Sequence, residues 1–325
     1  MPKISVLMSV YNETAVQIEE AVQSILDQTF SDFELLIVND APSNPNMSNL
    51  LATVQTLSKD RIKIYNNETN IGLALSMNRA AELSTGKYIA RMDADDISLP
   101  ERFQKEVQLL DSGKYDFVFT NYVTINDNGE FITKTPLSPN YNDDVISDRI
   151  CEENIIHHPT VMMKRDVFEK AGRYRNFPCA QDYDLWLRLV SVGCRFHMIN
   201  EVLFHYRVRR TSITSKKRLQ QKLTMDYARK LYIERLKTGT DSYKYEGYIE
   251  YVQKNIKKHK NAEQQLDTNR LKLQKAYQYK RKGNLIGFFV CRVSVFLGSS
   301  VYRASYLDKV RNKREIKKVG LEKRR

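Results

Sequence analysis

The sequence predicts an α/β protein with a mostly parallel central sheet over residues 1–215, followed by a helical, basic region over residues 216–325. Three observations predict it. Short apolar, β-branched runs alternate with helical periodicities through the first hundred residues, as in βαβ units. Those runs are apolar almost throughout, the pattern of strands covered on both faces. The charge is split along the chain: residues 1–205 hold 19 basic and 29 acidic side chains, and residues 206–325 hold 33 and 10.

The elements follow in order. Ile4 to Val10 reads as a strand that stops at the polar Tyr11-Asn12-Glu13, and Val16 to Leu26 repeats apolar residues at helical spacing. Phe33 to Asn39 is a second apolar strand. A polar loop leads to a helix near Met47 to Leu57 and a third strand, Ile62 to Tyr65. Asn70 to Leu83 reads as a helix and Tyr88 to Met92 as the fourth strand. Asp116 to Tyr122 is strand-like, and Asp182 to Val192 is helical. From about Lys216 to Lys282 the pattern is helical, polar and rich in tyrosine, without internal repeats. Right-handed crossovers place ligands at the carboxyl ends of parallel strands, so the polar residues there are the candidates for chemistry.

Length and composition exclude several classes. A chain of 325 residues, 42% hydrophobic and 28% charged, is neither a small stapled module nor a disordered one. Cys151, Cys179, Cys194 and Cys291 show no paired spacing, which argues against structural zinc or a disulfide framework and for a reducing compartment. The N-terminal segment reads as a strand and not as a secretory leader. The basic C-terminal region suits a polyanion, either an anionic membrane surface or a nucleic acid. No nucleic-acid module accompanies it, so no nucleic-acid partner is expected.

Asp93-Ala94-Asp95-Asp96 follows the fourth strand directly. Three carboxylates in four positions are costly unless a cation joins them, and oxygen ligands beside a phosphorylated substrate suit Mg²⁺ or Mn²⁺. Alone, the run can also be an acidic turn before a helix. Asp40 after the second strand and Tyr11 after the first can meet a ribose or a base. Asp182, in the first turn of its helix, is either a cap or a general base. Trp186, the only tryptophan, offers either a sugar platform or core packing.

Seven segments in order, Ser5 to Asn12, Val38-Asn39-Asp40, Asn70 to Ala74, Arg91 to Asp96, His158-Pro159-Thr160, Gln181 to Arg188 and His205-Tyr206-Arg207, resemble the motifs of family-2 inverting glycosyltransferases, which have the GT-A fold. The resemblance covers residues 1–215 and is silent past about 220. It implies that Tyr11, Asn12, Glu13, Asp40, Asn70, Arg79, Asp93, Ala94, Asp95, Arg207 and Arg209 bind a UDP-sugar, with Asp93 and Asp95 as the DxD motif holding Mn²⁺ or Mg²⁺. It implies Asp182 as the base that deprotonates the acceptor hydroxyl, with His158, Asp184 and Trp186 near the acceptor. Three departures stand out. Asn39-Asp40-Ala41-Pro42 replaces a common Asp-Asp-Gly-Ser, Gln181 replaces an acidic residue before the base, and Arg209 stands where many relatives carry a metal-binding His.

With the resemblance, the expected activity is transfer of a hexose or N-acetylhexosamine to a lipid-diphosphate-linked saccharide, with a β-linkage, in O-antigen, lipopolysaccharide or capsule synthesis. The alternatives are the same chemistry on a soluble or wall-polymer acceptor, and a nucleic-acid-binding protein. Leu285 to Leu297 is too short and too interrupted by Arg292 to span a bilayer, which needs about 20 apolar residues. With Lys280, Arg281 and Lys282 before it and Lys309 to Arg325 after, it reads as an interfacial helix on the cytoplasmic leaflet, or as a helix packed on the first region.

Overall fold

A computed structural model describes residues 1–209, 218–258 and 283–299 continuously, with scattered positions between 268 and 279 and between 302 and 316. Lys280, Arg281, Lys282 and most of the basic tail lie outside the described residues. The chain divides into two compact units, Met1–Arg210 and Thr211–Arg325.

The first unit is built on a sheet of eight strands among the described residues, in the order β3-β2-β1-β4-β7-β6-β8-β5. Its first half is the expected βαβ series. Strands β1 (Ile4–Val10), β2 (Phe33–Asn39), β3 (Ile62–Asn66) and β4 (Tyr88–Arg91) are all parallel. Every residue of β2 is buried, which explains its unbroken apolar run.

Helix α1 (Ala15–Leu26) starts where Thr14 and Gln17 form a reciprocal capping box. Helix α2 (Pro45–Thr56) starts at Asn44, whose side chain accepts the backbone N–H groups of Asn46 and Met47, with Pro45 as the first helical residue. The third helix, α3 (Leu73–Leu83), begins three residues later than its periodicity predicts. Gly72 stops it there: at φ 83° it occupies backbone space open to glycine, and the chain before it turns toward Asp40. Gly86 is required for another reason, since a Cβ there would lie 2.6 Å from Ser5.

The second half of the sheet is mixed, with four of the seven strand pairings overall parallel among the described residues, as expected of a mostly parallel sheet. Strand β7 (Val161–Lys164) enters between β4 and β6 (Phe117–Ile125) and runs antiparallel to both. The long strand β8 (Phe196–Arg207) pairs parallel with β6, with register shifts around Asn121, and its far edge takes the short β5 (Ile97–Ser98) antiparallel. The shifts and the exposed Asn200 and Glu201 break the periodicity of β8, so it shows no clean strand pattern in the sequence. Around these strands lie α4 (Arg102–Asp111), α5 (Asp143–Glu152), a 3₁₀ turn at His158–Thr160, α6 (Arg165–Lys170) and α7 (Gln181–Ser191). The core on one face gathers Ile4, Val6, Met8, Ile18, Leu35, Phe103 and Met162.

In the second unit, α8 (Arg218–Thr238) and α9 (Tyr245–Lys258) pack through Tyr227, Tyr248 and Tyr251, with Thr224 Oγ1 2.9 Å from Tyr248 Oη. Helix α10 (Leu285–Gly298) begins where Asn284 Oδ1 accepts the Gly287 N–H.

Candidate active site

The carboxyl ends of β1, β2 and β4 lie side by side because these strands are parallel and in register. The polar residues that follow them therefore share one edge of the sheet.

Asp40, after β2, is buried and acts as the hub of the loop before α3. Its Oδ1 accepts from Asn67 Nδ2 and the Ile71 N–H, both at 2.8 Å, and Oδ2 accepts the Gly72 N–H at 2.9 Å. Asn70 Nδ2 donates to the Asp40 carbonyl at 2.9 Å. Arg79 reaches back from α3 to the Asn66 carbonyl at 2.9 Å and to Asn67 Oδ1 at 2.5 Å. The buried Asn67 links Asp40, Ser76 and Arg79, a role that one polar residue at a strand end did not announce in the sequence.

After β1, Glu13 Oε2 accepts the N–H groups of Tyr11 at 2.7 Å and Asn12 at 3.2 Å, leaving the Tyr11 ring exposed. Glu13 Oε1 takes Arg209 Nη2 at 3.0 Å, and Arg209 Nε lies 2.5 Å from Asp95 Oδ2 as an ion pair. The loop that carries Tyr11 is thus joined through Glu13 and Arg209 to the acidic run after β4.

Arginines reach that run at Asp93 and Asp95, but burial outweighs them. Burial, with the charge of Asp93 added, pushes the Asp95 carboxyl up to about 7 despite the opposing pull of Arg209. Asp96 is driven well above the ordinary range by burial and by Asp95 and Asp93, and its Oδ2 is buried without a hydrogen-bond partner. Asp93, more exposed, pairs with the buried Arg91, and Ala94, between Asp93 and Asp95, is a buried core residue. Such a set of hard, under-compensated oxygens fits a divalent cation. Among the described residues no three ligating side chains converge, so this is not a closed protein cage. The residues suit the arrangement in which one or two carboxylates share a cation with substrate phosphates.

Arg207, expected at the nucleotide, is drawn into the framework of the site. It is 1% exposed and all three of its nitrogens are engaged: Nε with the Asp95 carbonyl at 2.6 Å, Nη1 with the Asn126 and Asp127 carbonyls, and Nη2 with Glu20 at 2.6 Å. Its N–H also donates to Asp96 Oδ1 at 2.8 Å. Arg207 therefore straps the acidic run to β8. Arg209, two residues on, pairs with Asp95 and Glu13.

Asp182 opens α7 after Ala180, whose φ of 53° turns the chain into the helix. Its Oδ2 accepts Asn154 Nδ2 at 2.8 Å. Burial pushes its carboxyl above the ordinary aspartate range. The Asn154 hydrogen bond and the Tyr183 and Asp182 N–H groups pull it partly back, and the Asp93 charge raises it again. The charge of Asp93, in the fourth of the seven motifs, thus reaches Asp182 in the sixth.

The three residues expected near the acceptor are turned inward. Trp186 is fully buried with its ring edge against Phe117, centroids 4.9 Å apart. Asp184 is fully buried between Arg188 at 2.9 Å and Arg175 at 3.4 Å. His158 Nε2 is 2.8 Å from Tyr174 Oη, with its ring edge-on to Tyr174 and Trp186. Helix α7 is enclosed on nearly every side from Tyr183 to Leu189, so only its first turn reaches the site. The neighbours that do border the site were missed: Asn154 on Asp182, and His157, stacked on Tyr122 and edge-on to Tyr206 with both centroids at 4.2 Å. Burial lowers His157 to about 4, partly offset by Asp93, which keeps the imidazole neutral. Only its place beside His158-Pro159 could have drawn attention to it.

The glycosyl transferase family 2 profile matches residues 5–172. The O-antigen biosynthesis glycosyltransferase WbnJ of Escherichia coli is 36% identical over 212 residues, 64% of this chain and 81% of that one. The amylovoran biosynthesis glycosyltransferase AmsE of Erwinia amylovora is 31% identical over 207 residues, 62% and 75% of the two chains. The crystal structure of S. aureus TarS residues 1–349 in complex with UDP-GlcNAc superposes with a TM-score of 0.60 over 91% of this chain and 92% of that one, at 16% identity, and shows the same GT-A fold. By the profile match over half its length, together with that fold, the chain belongs to glycosyl transferase family 2.

Proposed function

We propose that this protein transfers a hexosyl or N-acetylhexosaminyl group from a UDP-sugar to a hydroxyl of a lipid-diphosphate-linked saccharide, with inversion at the anomeric carbon. In this reading residues 1–215 perform the chemistry and residues 216–325 hold the enzyme at the cytoplasmic face of the membrane. The work belongs to cell-surface polysaccharide synthesis, the setting named for WbnJ and AmsE, and TarS binding UDP-GlcNAc supports a UDP-sugar donor. The observation that carries the chemistry is Asp182 at the start of α7, held by Asn154 at 2.8 Å, in a fold whose parallel strands end at the acidic run after β4.

The exposed Tyr11 ring covers the base, and Asp40 fixes the loop beneath it through Ile71 and Gly72. Asp93 and Asp95 would hold Mn²⁺ or Mg²⁺, which supplies charge compensation for the diphosphate. Arg209 adds a fixed cation on the same carboxylates. Asp182 accepts the proton of the acceptor hydroxyl as its oxygen bonds to the anomeric carbon. The bond from that carbon to the diphosphate oxygen breaks, and UDP leaves with the electron pair. Asn154 keeps the Asp182 carboxylate oriented, and the raised pKa makes it a stronger base than an exposed aspartate. A screen of UDP-sugar hydrolysis with Mn²⁺ identifies the donor without the acceptor. Turnover of no UDP-sugar, with turnover of another nucleotide sugar, would overturn the donor assignment.

A further inference from the structure

We infer that one face of α10 is a docking surface for an anionic lipid bilayer. The helix is apolar on two opposite sides. Phe288 and Val295, seven residues apart, are buried, so one side is already packed. At about 100° per residue, Ile286, Phe289, Val290, Val293 and Leu297 fall within an arc of about 100° on the side opposite that pair. These five side chains are 53–79% exposed. A helix with a single core to face carries polar residues on its outer side, and a contiguous apolar stripe left bare marks an interaction site.

The helix is 14 residues long, about 21 Å, which falls short of a bilayer core of about 30 Å. No described helix is long and apolar enough to cross a membrane. The stripe therefore suits a helix lying in the plane of the interface. Arg292 is exposed but carries its guanidinium over the Phe288 ring at 5.4 Å, toward the packed side, so the bare stripe itself holds no charge.

Charge selects the occupant. Residues 206–325 carry 33 basic and 10 acidic side chains, including three consecutive basic residues just before this helix. A second copy of the chain would bring the same excess to the contact and be repelled. A nucleic acid would match the charge but leave the apolar stripe uncovered. An anionic leaflet satisfies both, apolar side chains entering the acyl boundary while Lys and Arg meet the headgroups. This deepens the proposed function by naming the surface that presents the lipid-linked acceptor, and it rests on that reading for the acceptor alone.

The test is flotation of the full chain with vesicles of equal parts phosphatidylglycerol and phosphatidylethanolamine, against vesicles of pure phosphatidylcholine. The wild type floats with the anionic vesicles and far less with the neutral ones. Phe289→Ser/Val293→Ser lowers recovery about tenfold, and the independent pair Ile286→Ser/Leu297→Ser does the same. UDP-sugar hydrolysis and the circular dichroism spectrum of both variants stay at wild-type values, since only exposed residues change. Equal recovery of the variants, or no preference of the wild type for anionic vesicles, would overturn the docking. So would a dimer in sedimentation that both variants abolish while vesicle recovery stays unchanged. Loss of UDP-sugar turnover with flotation intact would instead count against the proposed reaction, so the two failures are read separately.

Discussion

Asn154 donates its Nδ2 to Asp182 Oδ2 at 2.8 Å, joining the end of the α5 connection to the first turn of α7. The bond favours the ionised carboxylate, while burial and Asp93 favour the neutral acid. Asp182 is thus held ready to take a proton by forces that act in opposite directions.

Replacing Asp182 by Asn keeps its shape and its capping capacity but removes the proton acceptor. A general base contributes about 10²–10⁴-fold, so kcat is expected to fall by that factor while UDP binding changes little. Single-turnover kinetics with calorimetric UDP binding separate the two. Near wild-type turnover would reduce Asp182 to a helix cap.

The Asn154→Ala variant tests the hydrogen bond by its pH signature. The base works when deprotonated, so kcat rises with pH through the Asp182 pKa, which lies above the ordinary aspartate value. Loss of the Asn154 donor removes a contribution that lowers that pKa. The acidic limb of the profile is therefore expected to move to higher pH, with the plateau largely retained. An unmoved limb would count against the positioning role.

Chelation should abolish transfer, and Mn²⁺ or Mg²⁺ should restore it. Asp95→Ala is expected to lose turnover in a way that added metal does not rescue, while thermal unfolding stays close to wild type. Full turnover in excess EDTA would leave the diphosphate charge to Arg209.

Arg207→Ala should destabilise the fold instead of weakening nucleotide binding alone. It leaves the Asp95, Asn126 and Asp127 carbonyls without their donor, and a lost buried partner of this kind costs about 1–3 kcal/mol or more. Arg207→Lys is expected to rescue little, because an ammonium cannot reproduce the planar fork. Denaturant unfolding measures both. A wild-type midpoint for the alanine variant would contradict the strap.

Trp186 is the sole tryptophan and reports its own environment. Trp186→Ala is expected to cost about 3–5 kcal/mol as a core deletion. Trp186→Phe should cost much less, since the indole Nε1 is buried without a partner. Acceptor KM is expected to be unchanged in the Phe variant, and the wild-type emission to be blue-shifted and insensitive to acceptor. A large rise in KM would return the ring to the acceptor site.

What the sequence by itself determined is local and periodic. The apolar runs of β1 and β2, the helical spacing of α1, the carboxylates placed directly after β4, and the split of charge at about residue 205 are all properties of near neighbours along the chain. They sufficed for the α/β class, the motif order and the edge of the sheet where chemistry gathers. Only the tertiary structure decided what each polar side chain faces, because those partners are far apart in sequence. Arg207 and Arg209 illustrate it. Two residues apart at the end of β8, one is taken up by Glu20 and three backbone carbonyls, and the other meets Asp95 and Glu13. Trp186 and Asp184 went inward because α7 is enclosed by strands and loops on nearly every side, a fact absent from its own periodicity. Helix α10 shows the same limit from the other direction: its sequence is apolar on two opposite sides, and only packing of Phe288 and Val295 left the other stripe bare.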